Sequence, residues 1–171
     1  MRTRVIGLGN PILSDDGVGL QVARALAARL GASDVDVVES EVAGFALLEL
    51  LDTWERVILV DAVMLPGMRP GTVVRLGPED LATSLRLRSV HEIDLPTALA
   101  LGTRLGFAMP KEIVIIAIQA EDTLTFGETL TPRVAAALPR AVERILEELR
   151  HGGSRGVGES PAGGVLQDAR V

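Results

Sequence analysis

The chain contains no cysteine among its 171 residues. This absence excludes disulfides, cysteine-based zinc sites and a cysteine nucleophile together. Basic residues are also fewer than acidic ones, and the net charge of −6 argues against a polyanionic partner such as nucleic acid. The composition is otherwise that of a globular protein, with 47% hydrophobic and 23% charged residues, and the chain is long enough for one α/β domain.

Long hydrophobic runs are missing as well. The longest apolar runs, residues 57–60 and 113–118, have the length of a strand and are far too short to span a bilayer. No basic segment precedes an apolar stretch at the N-terminus, so we expect no signal peptide. These features predict a cytoplasmic protein with no membrane partner.

Several familiar catalytic and nucleotide-binding motifs are absent. Ile12 occupies the position of the third glycine in a dinucleotide-binding fingerprint, and there is no Walker loop. There is no nucleophile elbow, and no helical histidine pair of the metalloprotease type. A serine triad using Ser14 or Ser89 is formally possible, but nothing in the sequence places either serine on a strained turn.

The most informative segment that is present is an acidic turn in residues 7–19, GLGNPILSDDGVG. It resembles a glycine-rich phosphate loop but carries Asp15 and Asp16 where an anion would bind, with no lysine nearby. We therefore expect the turn to meet a cation. Structural roles compete with this interpretation, because Ser14 can cap the following helix and carboxylates are favoured in a first helical turn.

Strands and helices alternate along the rest of the chain. Apolar runs predict strands at residues 2–8, 35–38, 56–61, 72–76 and 112–118. Periodic segments predict helices over residues 18–30, 44–51, 95–105 and 132–150. We expect a three-layer α/β/α domain over residues 1–150, with a mostly parallel, twisted sheet of about five strands and helices on both faces. The connection before residues 72–76 is too short for a helical crossover, which predicts an antiparallel edge strand there.

Residues 151–171 differ in character, because they are rich in glycine and show no periodicity. We expect them to form a disordered tail.

Three possible metal ligands follow predicted elements of the sheet. Asp16 follows the first strand, Asp61 ends the strand at residues 56–61, and His91 precedes a helix. Ligands of doubly wound sheets gather at the carboxyl ends of the strands, so these side chains are expected to meet at one edge. Together they would suit Zn²⁺, Ni²⁺, Mn²⁺ or Fe²⁺ with coordination positions left open. The structural alternatives are helix capping for Asp16, turn capping for Asp61 and surface hydrogen bonding for His91.

The acidic turn resembles the N-terminal signature of the hydrogenase maturation proteases, the endopeptidases that trim the C-terminus of the large subunit of nickel–iron hydrogenases. The resemblance extends over residues 1–150, in order and at the expected spacing. The further matching positions are Gly44 with its short helix, Val60-Asp61-Ala62, Pro70-Gly71-Thr72, Ser89-Val90-His91 with Leu95, and Leu130-Thr131-Pro132.

The resemblance implies specific roles for these residues. Asp16, Asp61 and His91 would bind a nickel ion that is carried by the substrate, with Asp16 as the catalytic residue and Gly44 lining the groove for the tail peptide. Zinc or cadmium could take the place of nickel in crystals. The implied partner is a hydrogenase large-subunit precursor, on which the protease acts as a monomer. The residues leave open whether Asp16 or Asp61 activates the water.

Two other functions remain open from the sequence. A metal-binding, chaperone-like checkpoint module would use the same motif to bind the precursor without cleaving it. A nucleotide or phosphate binder would use the glycine-rich turn, although the acidic pair argues against that.

Overall fold

The computed structural model describes residues 1–42, 46–78, 80 and 95–152 of the chain. These residues contain five strands, which are β1 (Thr3–Leu8), β2 (Val35–Ser40), β3 (Arg56–Val63), β4 (Val73–Leu76) and β5 (Glu112–Gln119). They also contain four α-helices, which are α1 (Val18–Leu30), α2 (Ala46–Leu51), α3 (Leu95–Arg104) and α4 (Pro132–Gly152). A 3-10 helix at Ser14–Gly17 directly precedes α1.

The strands form one sheet in the order β2-β1-β3-β5-β4. All neighbouring pairs are parallel except β4, which lies antiparallel to β5 at the edge. Only residues 64–72 connect β3 to β4, and parallel pairing requires a longer crossover. The predicted fold class, including its antiparallel edge strand, is therefore confirmed.

Helices cover both faces of the sheet. One apolar cluster joins α1 and α4 to residues such as Val5 and Ile58, and the other joins α2 and α3 to residues such as Ile6 and Leu59. Consecutive strand residues alternate between the two clusters, as the two-residue period of a strand requires. All eight residues of β3 are buried, which explains its nearly continuous apolar sequence.

The end of β3 differs from the prediction. The strand predicted to stop at Asp61 continues to Val63, because Ala62 and Val63 pair with Ile118 and Gln119 of β5. Asp61 therefore lies inside β3 and pairs with Ala117, rather than ending the strand.

The last helix, α4, extends through Gly152, slightly beyond the predicted domain boundary at residue 150. Residues 153–171 lie outside the described residues, so the disordered tail stays a prediction. None of the helices in the described ranges combines the length and apolar character needed to cross a bilayer.

Candidate functional site

The acidic turn lies at the carboxyl edge of the sheet, between the end of β1 and the start of α1. Ser14 has a φ of 47°, a left-handed conformation that a non-glycine residue rarely adopts. Its hydroxyl donates to the carbonyl of Thr129 at 3.1 Å, and its N–H donates to the carbonyl of Gly127 at 2.7 Å. Ser14 thus binds the β5–α4 loop (residues 120–131) and does not cap a helix, so the predicted capping role is wrong.

Ser14 is also the serine on a strained turn that the sequence did not indicate. The side chain is 8% exposed, and its hydroxyl proton is directed at a backbone carbonyl. A nucleophilic serine instead donates that proton to a general base, so the local geometry does not support a serine triad at this position.

Glycines allow the acidic turn and α1 to lie directly on the sheet. A Cβ at Gly9 would lie 2.4 Å from the carbonyl oxygen of Asp16. A Cβ at Gly19 would lie 2.2 Å from the Leu8 oxygen and 2.4 Å from the Val60 oxygen. Both distances are far below van der Waals contact, so any side chain at these positions would push the turn away. The glycines therefore fix the backbone of Asp16 against the carboxyl edge.

Asp15 is fully buried and holds the β5–α4 loop against the acidic turn. Its Oδ2 accepts the N–H of Glu121 at 2.9 Å, the N–H of Asp122 at 3.0 Å and the hydroxyl of Thr131 at 2.9 Å. Its Oδ1 accepts the N–H of Thr131 at 2.7 Å. Four neutral donors thus stabilise the buried carboxylate, and Asp15 anchors the loop from the first turn of the 3-10 helix, where a carboxylate is also favoured.

The two acidic site candidates within the described residues are both buried at this edge. Asp16 is 6% exposed and follows β1, and Asp61 has no exposed surface and lies near the end of the neighbouring strand, β3. The 3-10 helix that carries Asp16 packs against β3. Asp61 accepts the N–H of Ala62 at 2.8 Å on Oδ1, and both aspartates have further polar or electrostatic interactions within the chain.

The other two predicted site residues, His91 and Gly44, lie outside the described residues. In residues 1–42, 46–78, 80 and 95–152, no three His, Asp or Glu side chains are grouped as a metal site requires. The predicted metal site of Asp16, Asp61 and His91 therefore stays a prediction.

The tip of the β5–α4 loop (residues 123–126) is a feature that the sequence reasoning missed. Leu124 is 84% exposed and Phe126 is 80% exposed, in a loop whose other residues are mostly polar. Asp122 orders the tip, because its Oδ1 accepts the N–H groups of Leu124 and Thr125, each at 3.0 Å. The hydroxyl of Thr125, followed by these two N–H groups, lowers the pKa of the Asp122 carboxyl. The presence of two large apolar residues in a polar segment is the sequence feature that could have indicated this tip.

Comparisons with known proteins identify similar chains. The family model for hydrogenase maturation protease (HycI) matches residues 20–148. The hydrogenase 2 maturation protease of Escherichia coli K12 is 30% identical over 155 residues, covering 90% of this chain and 93% of that protein. The solved structure of the hydrogenase maturating endopeptidase HybD from E. coli aligns with a TM-score of 0.75 at 28% identity, over 90% of this chain and 94% of that one.

A second solved structure is similar over nearly its whole length. The [NiFe] hydrogenase maturation protease HybD from Thermococcus kodakarensis aligns with a TM-score of 0.66 at 30% identity. The alignment covers 87% of this chain and 99% of that one.

Proposed function

Because the chain belongs to the hydrogenase maturation protease family, we propose that it removes a C-terminal peptide from the large-subunit precursor of a nickel–iron hydrogenase. The nickel ion belongs to the precursor, so the protease recognises a metal that arrives with its substrate. A precursor without nickel would then escape cleavage, and the site would test for metal insertion before it cuts.

The observation that carries this proposal is a pair of buried carboxylates, Asp16 and Asp61, on the same edge of the sheet. The elements that carry them pack against each other, and neither side chain belongs to the apolar clusters. Carboxylate oxygens are suitable donors to a divalent ion, and an imidazole from His91 would add a nitrogen donor that nickel favours. The ion would hold the precursor tail against the acidic turn, which supplies the positioning needed for cleavage.

The different exposure of the two carboxylates favours different roles. Asp16 retains some exposed surface, whereas Asp61 has none, so water reaches Asp16 first. We assign Asp16 as the base that takes a proton from water as the water attacks the scissile carbonyl. The proton then passes to the departing amine of the released peptide. Asp61 would be the deeper ligand of the substrate's ion.

A cavity next to the acidic turn offers space for the tail peptide. It has a volume of about 320 Å³ and lies between the turn and the end of β2, with Pro11, Ser40 and Glu41 among its lining residues. Gly44 follows this part of β2 closely in sequence. The position of the cavity supports a groove along this edge, to which Gly44 would contribute.

The decisive experiment incubates the protein with a nickel-loaded large-subunit precursor and measures the precursor mass over time. We expect a shorter product of one defined mass, and no product from the same precursor prepared without nickel. The Asp16→Ala and His91→Ala variants should be folded but inactive. Cleavage by both variants would remove the site assignment.

Binding measured by calorimetry separates cleavage from simple recognition. If the wild-type protein binds the nickel-loaded precursor tightly and leaves its mass unchanged, the protein is a checkpoint module and the proposed hydrolysis is wrong. A folded protein that neither binds nor cuts the precursor would contradict both functions.

A further inference from the structure

Large apolar side chains that face solvent are unevenly distributed over the molecule. Within the described residues, six of them are strongly exposed: Met1, Ile12, Met64, Leu105, Leu124 and Phe126. Ile12, Met64, Leu124 and Phe126 all follow the carboxyl ends of strands, at the edge that carries Asp16. Exposed apolar groups collected on one side of a protein commonly mark an interaction surface.

The two most exposed of these side chains lie on an ordered loop tip. Asp122 closes a hydrogen-bonded turn on one side of the tip, through the N–H groups of Leu124 and Thr125. On the other side, the N–H of Gly127 donates to the Ile12 carbonyl at 3.0 Å. The tip is therefore fixed at both ends, although nothing in its own fold requires Leu124 and Phe126 to be apolar. An ordered loop loses less conformational entropy on binding than a flexible one.

The loop tip is mechanically connected to the candidate site. Asp15 binds the loop through Glu121, Asp122 and Thr131, and it is the residue directly before Asp16. Ile12 adds an apolar side chain, 49% exposed, on the acidic turn where it bonds to Gly127. The loop tip is thus joined to the turn that would receive the scissile bond, and both carry exposed apolar side chains.

From this connection we infer that the loop tip, through Leu124 and Phe126, is a docking element for the folded body of the precursor. The inference rests on the proposed function, because a protein that brings its tail to Asp16 must lie over the same edge. The tip would insert into an apolar pocket on the precursor beside the point where its tail emerges. Recognition would then have two parts. The acidic turn would bind the tail and its metal ion, and the loop tip would bind the surface of the precursor.

The test measures cleavage kinetics of the nickel-loaded precursor with Leu124→Ser, Phe126→Ser and the double variant. Leu105→Ser is the matched control, because Leu105 is 63% exposed but follows α3 at the opposite edge of the sheet. We expect each single variant to raise KM about tenfold, as loss of an interface anchor does, with kcat unchanged within about twofold. The control variant should have the KM and kcat of wild type. Phe126→Leu should have a KM close to that of wild type, because it keeps a large apolar side chain.

Affinity for the precursor gives a second readout that does not depend on cleavage. The dissociation constant should rise with the same variants that raise KM, while their thermal unfolding midpoints stay close to wild type. Unchanged KM and affinity in the double variant would overturn the docking element and leave the proposed function intact. A dimer of this chain that is lost in the double variant, with precursor affinity unchanged, would also overturn it.

If the wild-type protein bound the precursor without cutting it, the proposed hydrolysis would be wrong. The dissociation constants of the loop variants would still show whether the loop tip is a docking element. If it did not bind at all, both would be overturned.

Discussion

The two edges of the sheet bury charge in different ways. At the amino edge, Arg56 is 2% exposed and contacts acidic partners from two elements, Glu112 of β5 and Glu148 of α4. At the carboxyl edge, the part of the chain that the structure describes buries the carboxylates of Asp15, Asp16 and Asp61. Opposite charges thus stabilise Arg56, whereas neutral N–H and O–H donors stabilise Asp15.

At the amino edge, arginine side chains join neighbouring elements of the fold. The Nη1 of Arg56 donates to the Glu148 carbonyl at 2.9 Å, and its Nε lies 3.1 Å from a Glu112 oxygen, close enough for an ion pair without the alignment of a hydrogen bond. Nearby, the guanidinium groups of Arg2 and Arg4 lie 4.8 Å and 4.3 Å from the centre of the Trp54 ring. These interactions connect the strand starts to one another and to the end of α4.

The carboxyl edge combines buried acids with exposed apolar side chains. The burial of Asp16 and Asp61 keeps carboxylates in a poorly solvated place, and Leu124 and Phe126 are left in water. Exposing large apolar side chains costs free energy in the isolated protein. The charge at the amino edge is therefore paired within the fold, whereas the carboxyl edge carries the residues of the proposed site together with exposed apolar side chains.

The largest effect should come from the carboxyl edge and should concern activity. Asp16→Asn keeps the shape of the side chain but removes the base, so we expect the rate of precursor cleavage to fall at least about a hundredfold. Mass spectrometry of the product measures this, with Asp34→Asn as the control, because Asp34 is exposed and precedes β2 at the other edge. Comparable rates for Asp16→Asn and wild type would show that Asp16 is not the base.

The next effect should come from the amino edge and should concern stability. Arg56→Met removes the buried donor to the Glu148 carbonyl and the ion pairs of Arg56 with Glu112 and Glu148. Glu148 keeps Arg75 at 2.7 Å, so the loss comes from the contacts of Arg56 itself, and we expect it to be about 3 kcal/mol in the free energy of unfolding. Urea unfolding measures this change. Arg29→Met, which breaks an exposed pair with Glu143, should cost much less.

Under conditions in which Arg56→Met is folded, its rate of precursor cleavage should equal that of wild type. A large loss of activity without unfolding would contradict the separation of the two edges.

Replacing Asp15 should have a smaller, local effect at the carboxyl edge. In Asp15→Asn the amide NH₂ would face the N–H donors of the β5–α4 loop, so we expect a loss of about 2 kcal/mol in unfolding free energy. Hydrogen exchange should accelerate at residues 121–131. Asp52→Asn is the control, because Asp52 accepts one N–H, from Ala108 at 2.7 Å, and an amide oxygen can still accept it. Unchanged exchange in the loop would contradict the anchoring role.

The smallest effect is a pH dependence of the loop tip. Hydrogen bonds from Thr125 and Leu124 lower the pKa of Asp122 in the folded protein. The stabilisation is therefore present above the unfolded pKa of about 4 and is lost as the pH falls through the lower, folded value. NMR shifts of the Leu124 and Thr125 amides should follow this titration. In Asp122→Asn the amide oxygen accepts the same N–H groups, so the pH dependence should disappear, and its persistence would exclude Asp122 as the cause.

Local sequence patterns were sufficient to predict the layers of the fold and to indicate the family. Apolar runs in β3 and β5 required a sheet covered on both faces, and the short connection before β4 required an antiparallel edge. The acidic turn, with glycines at fixed spacing, indicated the family because its close packing tolerates no other residue at Gly9 or Gly19. These features are local in the chain, so local reasoning could find them.

The contacts of individual acidic and apolar side chains depend on parts of the chain that are distant in sequence. Asp61 lies inside β3 because β5 pairs with β3 as far as Val63. The sequence of β3 alone does not predict how far that pairing extends. Asp15 anchors a loop that includes Thr131, which is 116 positions away, and Leu124 and Phe126 are held in solvent by bonds from distant segments. Hydrogen bonds between remote parts of the chain depend on how the layers pack. Periodicity and motif spacing are local properties, so they do not specify that packing.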